Sequence, residues 1–320
     1  MQTISNCTPG EIQKAAQALA DGKLVAFPTE TVYGLGADAT NQSAIAKIYS
    51  VKARPVNHPL IVHISSVNQL EKWAIDTSDY AIDLARCFWP GPITLILKRS
   101  KLASDAITGG QDAVGLRVPS NPVALNLLAE FERLGGSGVV APSANRFGSV
   151  SPTSAKAVEA ELGSFMGKED LILDDGPCLI GIESTIVDCT KGAPIVLRPG
   201  AVTTEMIELV TGLKNTIYLD ELEVRVSGNM ASHYSPKAVV ELGMPTQRGH
   251  GFIALADVPS PSGALRLAAP KSIEEYARVL YQALRLGDEL GLEIIYAIEP
   301  KGAGLALAIR DRLTKAASGK

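Results

Sequence analysis

Apolar residues recur at helical spacing near the start of the chain, where Ile12, Ala15, Ala16 and Leu19 share one face. Thr8 and Glu11 form a T-x-x-E capping box before them, Pro9 takes the first helical position, and Gly22 ends the helix. The period then changes. Leu24-Val25-Ala26-Phe27 is a continuous apolar run of strand length that delivers Pro28-Thr29-Glu30-Thr31 to its C-terminal end. Gly34-Leu35-Gly36 follows and reads as a flexible segment. Loops after strands are where α/β proteins place ligands. A helix is predicted around residues 43–49, ahead of Lys52 and Arg54, and Leu60-Ile61-Val62-His63-Ile64 is the next predicted strand. Helices at 79–88, 122–131 and 152–162 then interleave with strands at 93–97, 114–118, 139–141, 184–188 and 195–197. This alternation predicts one α/β domain with a mixed sheet over residues 1–210.

Periodicity fades after Lys214, where Ser227-Gly228-Asn229 breaks any regular element, so residues 211–240 read as a linker. Within it lies His233-Tyr234-Ser235-Pro236-Lys237. Beyond it, strands are predicted at 251–256, 264–268 and 293–298. Ser272 and Glu275 suggest a second capping box before a helix with Ile273, Tyr276, Ala277, Leu280 and Leu284 on one face, and a last helix spans 304–317. Residues 241–320 therefore read as a small, open, Rossmann-like α/β domain.

With 320 residues and 46% hydrophobic content, the chain can fill two cores. Its apolar runs are strand-sized, short of the roughly 20 residues a membrane span needs. The N-terminal residues lack a basic, apolar leader, so a cytoplasmic location without membrane contact is expected. Cys7, Cys87, Cys178 and Cys189 have no C-x-x-C spacing, which fits free thiols and argues against structural zinc. A formal charge of −4 disfavours a protein that coats nucleic acid non-specifically.

Candidate chemistry concentrates in two segments. Lys52-Ala53-Arg54-Pro55 and Pro142-Ser143-Ala144-Asn145 each carry phosphate-seeking groups two residues apart. In an extended backbone such pairs point to one side, and the residues before Pro55 and Pro142 are biased towards that geometry. Together they suggest the halves of an oligophosphate cradle. Arg117 and Arg198 lie within or at the end of apolar strands, where either a buried ion pair or an anionic ligand must satisfy them. His63 is a core histidine or a pocket contact, and His58 and His63 lack a third metal ligand near in sequence. Glu30 is a solvated loop carboxylate, a cap or a base. No G-x-x-x-x-G-K-[ST] or dinucleotide fingerprint is present.

Taken in order, Pro28-Thr29-Glu30-Thr31-Val32-Tyr33-Gly34-Leu35-Gly36, the Lys52/Arg54 segment, Pro59-Leu60-Ile61-Val62-His63-Ile64 and Ser143-Ala144-Asn145 closely resemble the threonylcarbamoyl-AMP synthase family, of the YrdC type. Glu183-Ser184-Thr185-Ile186-Val187-Asp188, Arg198-Pro199-Gly200 and His233-Tyr234-Ser235-Pro236-Lys237 resemble its longer, two-domain branch. The resemblance implies a twisted mixed sheet of the YrdC-like fold. It also implies an ATP-dependent nucleotidyltransferase that joins L-threonine and bicarbonate into threonylcarbamoyl-adenylate, for transfer to tRNA adenosine by a partner transferase. ATP would enter as a substrate with Mg²⁺; no prosthetic group and no protein-held metal are implied. By the same match, Lys52, Arg54, His58, Ala113, Ser143, Asn145, Ser151, Arg198 and Tyr234 would bind ATP, with Lys52, Arg54, Ser143 and Asn145 closest to the chemistry. Thr31, His63, Arg117, Ala141 and Ser184 would bind threonine. Direct contact with tRNA or other double-stranded RNA would be weak at most. Two departures stand out: Val56-Asn57-His58 where relatives commonly carry Ser-Asp-Asn, and Phe147 where a small polar residue is usual. A non-catalytic RNA-binding module and a hydrogenase-maturation type carbamoyl-transfer domain are the rival readings. The second would bring C-x-x-C pairs and an acylphosphatase-like domain, which the sequence does not contain.

Overall fold

The computed structural model describes residues 1–217, 225–226, 234–245 and 249–319. Ser227-Gly228-Asn229 and His233 of the expected linker lie outside the described residues. Among those described, eleven strands form one sheet: β1 (Gln2–Ile4), β2 (Val25–Phe27), β3 (Gly34–Asp38), β4 (Ile61–His63), β5 (Ile93–Lys98), β6 (Ala113–Arg117), β7 (Val139–Val140), β8 (Leu171–Leu173), β9 (Thr185–Asp188), β10 (Ile195–Arg198) and β11 (Thr216–Ile217). Their order is β1-β8-β2-β3-β7-β4-β6-β5-β9-β10-β11, with parallel and antiparallel neighbours mixed. A second sheet holds β12 (Val239–Leu242), β13 (Gly251–Ile253), β14 (Leu265–Ala268) and β15 (Ile294–Ala297), ordered β12-β15-β13-β14 with every pairing parallel.

Helices cover both faces of the large sheet, which is why its strands read as unbroken apolar runs. Val25 and Phe27 point to the side of the helices Pro9–Ala20 and Pro122–Arg133, meeting Leu19, Leu127 and Phe131. Leu24 and Ala26 point the other way, into a cluster with Ile45 and Ile48 of the helix Gln42–Lys52 and Leu84 of the helix Asp79–Phe88. The Thr8–Glu11 capping box forms reciprocally. At Ser272 only half of the second box forms: its hydroxyl accepts from the Glu275 amide, while the Glu275 carboxylate turns to the Lys271 amide.

Three expectations need correction. Gly34-Leu35-Gly36 is no flexible loop but the first half of β3. At Gly36 a Cβ would lie 2.8 Å from Phe27 and 2.9 Å from the Val25 carbonyl oxygen, so the glycine permits close packing rather than motion. Lys52 and Arg54 do not alternate along an extended backbone. Lys52 is the last residue of its helix, and Ala53 caps that helix in the left-handed region at φ 49°. Strands β1 and β8 and the helix Thr204–Thr211 were not foreseen.

Candidate active site

Strand register gathers the candidate residues. Parallel pairing of β4 with β6 sets His63 directly beside Arg117. The Ala141 amide bonds the Ile61 carbonyl, and Gly34 bridges Ser143, which draws the 141–143 turn over the end of β3. β5 pairs with β9, which in turn pairs with β10, bringing Ser184 and Arg198 to the same end. There a cleft is lined by Thr31, Arg54, His63, Arg117, Ala141, Ser143, Ser184, Arg198 and Tyr234, with Thr29 and Glu183 among their neighbours.

Arg117 is held on one side only. Its Nη2 donates to Glu30 Oε1 at 2.7 Å and to Thr31 Oγ1 at 2.9 Å, and Glu30 also accepts from the Ser120 amide. The guanidinium Nε is buried without a partner among the described residues. Of the two fates open to a strand arginine, the buried ion pair is present, and one buried donor has no partner among the described residues. Burial and the Arg117 charge push the His63 pKa down to about 3, so its ring is neutral at ordinary pH. Across the cleft Arg198 donates from Nε to the Ser184 carbonyl and from Nη2 to Ser184 Oγ, which also bonds Thr94 Oγ1. Burial lowers the Arg54 pKa to about 10, which still leaves it a cation at neutral pH.

The other candidates stand behind or beside this lining. Lys52 is buried, and its Nζ donates to the carbonyls of Ser143 at 2.6 Å and Asn145 at 2.5 Å. It pins the 143–145 turn. Burial, then the nearby Arg54 charge, drives its pKa well below the usual lysine value. Asn145 braces the same turn through Nδ2 to the Arg146 and Ser149 carbonyls, leaving a buried Oδ1 without a partner among the described residues. Ser151 donates to Glu183 Oε1 at 2.6 Å. Ala113 lies at a separate, smaller depression with Gln111, Ile186 and Val226. The two departures from the family pattern turn out to be one packing unit. His58 meets Phe147 edge to face at 5.2 Å, and the Arg54 guanidinium lies 5.6 Å from the Phe147 ring.

Sequence reasoning missed the buried network around Glu183. Tyr281 donates to Glu183 Oε2 at 2.8 Å and Arg312 Nε to the same oxygen at 2.9 Å. Tyr234 stacks on Tyr281 with ring centroids 5.6 Å apart. One signal was readable: Arg312 interrupts the apolar face made by Ala308, Ile309, Leu313 and Ala316 on the last helix. Among the described residues, no group of three or more His, Cys, Asp or Glu is placed to hold a metal ion. Glu183, which lines the cleft, and Glu30, behind Arg117, are already committed to arginines.

Fold and cleft together define an α/β protein with a recessed, cation-walled cleft. The chain matches the Sua5–YciO–YrdC family, described as telomere recombination, over residues 17–200. It matches the threonylcarbamoyl-AMP synthase C-terminal domain over residues 202–318. It is 39% identical to a threonylcarbamoyl-AMP synthase of Pyrococcus abyssi, over 96% of this chain and 94% of the relative. It is 38% identical to one of Bacillus subtilis, over 97% and 94%. The crystal structure of P. abyssi Sua5 complexed with L-threonine superposes with a TM-score of 0.88 at 36% identity, covering 100% of this chain and 97% of that one. The chain belongs to the Sua5-type threonylcarbamoyl-AMP synthase family.

Proposed function

We propose that this chain synthesises threonylcarbamoyl-AMP from L-threonine, bicarbonate and ATP, releasing pyrophosphate. In enzyme terms it is a nucleotidyltransferase. The observation that carries the reading is the pairing of Arg117 and His63 on adjacent strands, facing Arg54 and Arg198 in one cleft. Arg117, with a donor to spare, suits the threonine carboxylate, and Thr31, Ala141 and Ser184 line the same end. His63, neutral and with an Nδ1 that has no partner among the described residues, suits the acceptance of a hydrogen bond from the threonine ammonium. The amine, once neutral, attacks dissolved CO2 and gives up a proton to solvent, or attacks bicarbonate with loss of water; an oxygen of the resulting carbamate then attacks the α-phosphorus of ATP as pyrophosphate leaves.

An anion attacking a polyanion needs compensation. Two unit charges about 4 Å apart repel by about 4 kcal/mol at an effective dielectric of 20, roughly a thousandfold in rate. Arg54 and Arg198 are suited to cancel it, while Lys52, Ser143 and Asn145 fix the turn that would cradle the phosphates. Ser151 and Tyr234 complete the ATP side and His58 flanks it, whereas Ala113, at its separate depression, is left out of the site. Mg²⁺ belongs here as part of the MgATP substrate, because Glu30 and Glu183 are engaged by Arg117 and Arg312. Tyr234 is buried and held at φ 62°, a conformation uncommon for a bulky residue, which supports its action as a cover over the adenylate.

The product would pass to a transferase that modifies tRNA adenosine, in the cytoplasm. An RNA-backbone site is disfavoured because Arg54, Arg117 and Arg198 are only 7%, 5% and 4% exposed, too recessed for a duplex surface. Mass spectrometry of a reaction run with ¹³C-bicarbonate tests the reading. Threonylcarbamoyl-AMP carrying one ¹³C is expected; AMP without any labelled adduct, from folded protein at early times, would overturn it.

A further inference from the structure

We propose that Arg312, on the helix Leu305–Ala317, is a positioning residue for this reaction, holding one wall of the cleft in place from the second sheet's side. The proposal rests on the synthase reading of the cleft. A single guanidinium touches three parts of that wall. Its Nε donates to Glu183 at 2.9 Å, directly before Ser184 in the chain. Its Nη1 donates to the carbonyl of Pro199 at 3.0 Å, directly after Arg198. Its Cζ lies 5.4 Å from the centroid of the Tyr234 ring. Glu183, Ser184, Arg198 and Tyr234 all line the cleft, whereas Arg312 does not. Asp311 accepts from the same Nη1 at 2.7 Å and orients the fork. Only an arginine has donors spread widely enough to serve all these points at once.

The second sheet is also anchored at points away from this residue. The helix Ile273–Glu289 is anchored elsewhere by Arg278 Nε to the Leu179 carbonyl at 2.9 Å and by Arg285 to Glu161 at 3.3 Å. The contacts of Arg312, by comparison, fall on the cleft wall. Glu183 is faced by the Ser151 and Tyr281 hydroxyls, by the Arg312 and Arg198 charges, and by the Tyr234 ring, with Asp311 behind Arg312. Burial alone would raise its pKa, but the Arg312 and Arg198 charges and the Ser151 bond overcome this and hold it at about 2. The sign follows: with Arg312 gone, Arg198 and Ser151 remain but the largest lowering charge is lost, so the Glu183 pKa rises.

Pyrophosphate release measured across pH, with kcat/KM for ATP at each point, tests the proposal. Arg312→Met is expected to lower kcat/KM at least tenfold and to move its acid limb up by a pH unit or more. Arg312→Lys, which keeps the charge without the fork, is expected to restore the acid limb but not the full kcat/KM. Parent-like kinetics in Arg312→Met, or a fall in rate with an unmoved acid limb, would overturn the proposal. Should Arg312→Met not fold, Tyr281→Phe removes a donor from the same carboxylate oxygen and is expected to lift the limb by less; an unmoved limb there overturns it equally. The parent's own threonine-dependent release is measured first. If the parent shows none, the synthase reading fails by itself, and the hold on Glu183 is read instead from the pH dependence of the melting midpoint in parent and Arg312→Met. Superimposable midpoint curves then overturn the hold as well.

Discussion

Glu30→Gln separates the charge of the Arg117 pair from its shape. The glutamine still fits the space and accepts from the Ser120 amide, but Arg117 is left without its counter-charge. The pair is 2.7 Å apart, with side chains only 6% and 4% exposed, so solvent screens it little. At about 4 Å between charge centres and an effective dielectric near 20, the attraction is about 4 kcal/mol. Removing one partner of a buried pair costs about 3–5 kcal/mol in general. For a chain of this size that corresponds to roughly 2 °C per kcal/mol, or a fall of about 6–10 °C in melting midpoint. L-Threonine then acts differently on the two proteins. At about 100 times its Kd it stabilises the parent by about 2.7 kcal/mol through mass action. In the variant its carboxylate also supplies the missing counter-charge, so at equal concentration the midpoint gain exceeds the parent's. Threoninol, which lacks the carboxylate, gives no such excess. Scanning fluorimetry of parent and variant with each ligand decides it: an unchanged midpoint in Glu30→Gln, or equal gains with threonine, would refute the reasoning.

Three further predictions follow from the same geometry. His63 has a folded pKa of about 3 against an ordinary value near 6.5, so its contribution is intact above pH 6.5 and is lost as pH falls towards 3, by up to about 1.4 kcal/mol per pH unit. Urea midpoints at pH 7.5 and 5 should fall less in His63→Gln than in the parent, and equal losses would count against the assignment. Tyr234→Ala should release more free AMP per pyrophosphate, because water reaches the mixed anhydride; chromatographic AMP-to-adenylate ratios matching the parent's would rule out a cover. In Gly181→Ala a Cβ would meet Arg278 Cα at 2.5 Å and the Ala277 carbonyl at 2.6 Å, at a φ of +86°. Loss of about 2 kcal/mol or more is expected, seen as faster proteolysis of the second sheet's region, and parent-like digestion would contradict the close packing.

Local signals carried much of the fold. The Thr8–Glu11 box and the apolar runs at 24–27, 60–64 and 93–97 each obey a single period, and both faces of the large sheet are covered, so their elements were legible. β1 and β8 were not: Gln2-Thr3-Ile4 carries a single apolar side chain, and Leu171-Ile172-Leu173 is a shorter apolar run than those around β2 and β4. Gly36 misled because a glycine that allows close packing is indistinguishable in sequence from one that allows motion. In the site, Lys52 and Arg54 were singled out from a geometry they do not have. Arg54 reaches the cleft from beyond a left-handed helix cap, while Lys52 works through two carbonyls. Glu30 looked like an ordinary loop carboxylate since its partner, Arg117, is 87 residues away. Glu183, Tyr281 and Arg312 meet only through the docking of the second sheet's helices, a long-range event that no local spacing encodes.

Pyrophosphate release from MgATP and bicarbonate, with each amino acid supplied in turn, tests the cleft's assignment most directly. Release that depends on L-threonine and collapses in Arg54→Ala and Lys52→Ala is the predicted result. Release indifferent to the amino acid, or surviving both substitutions in folded protein, would contradict it.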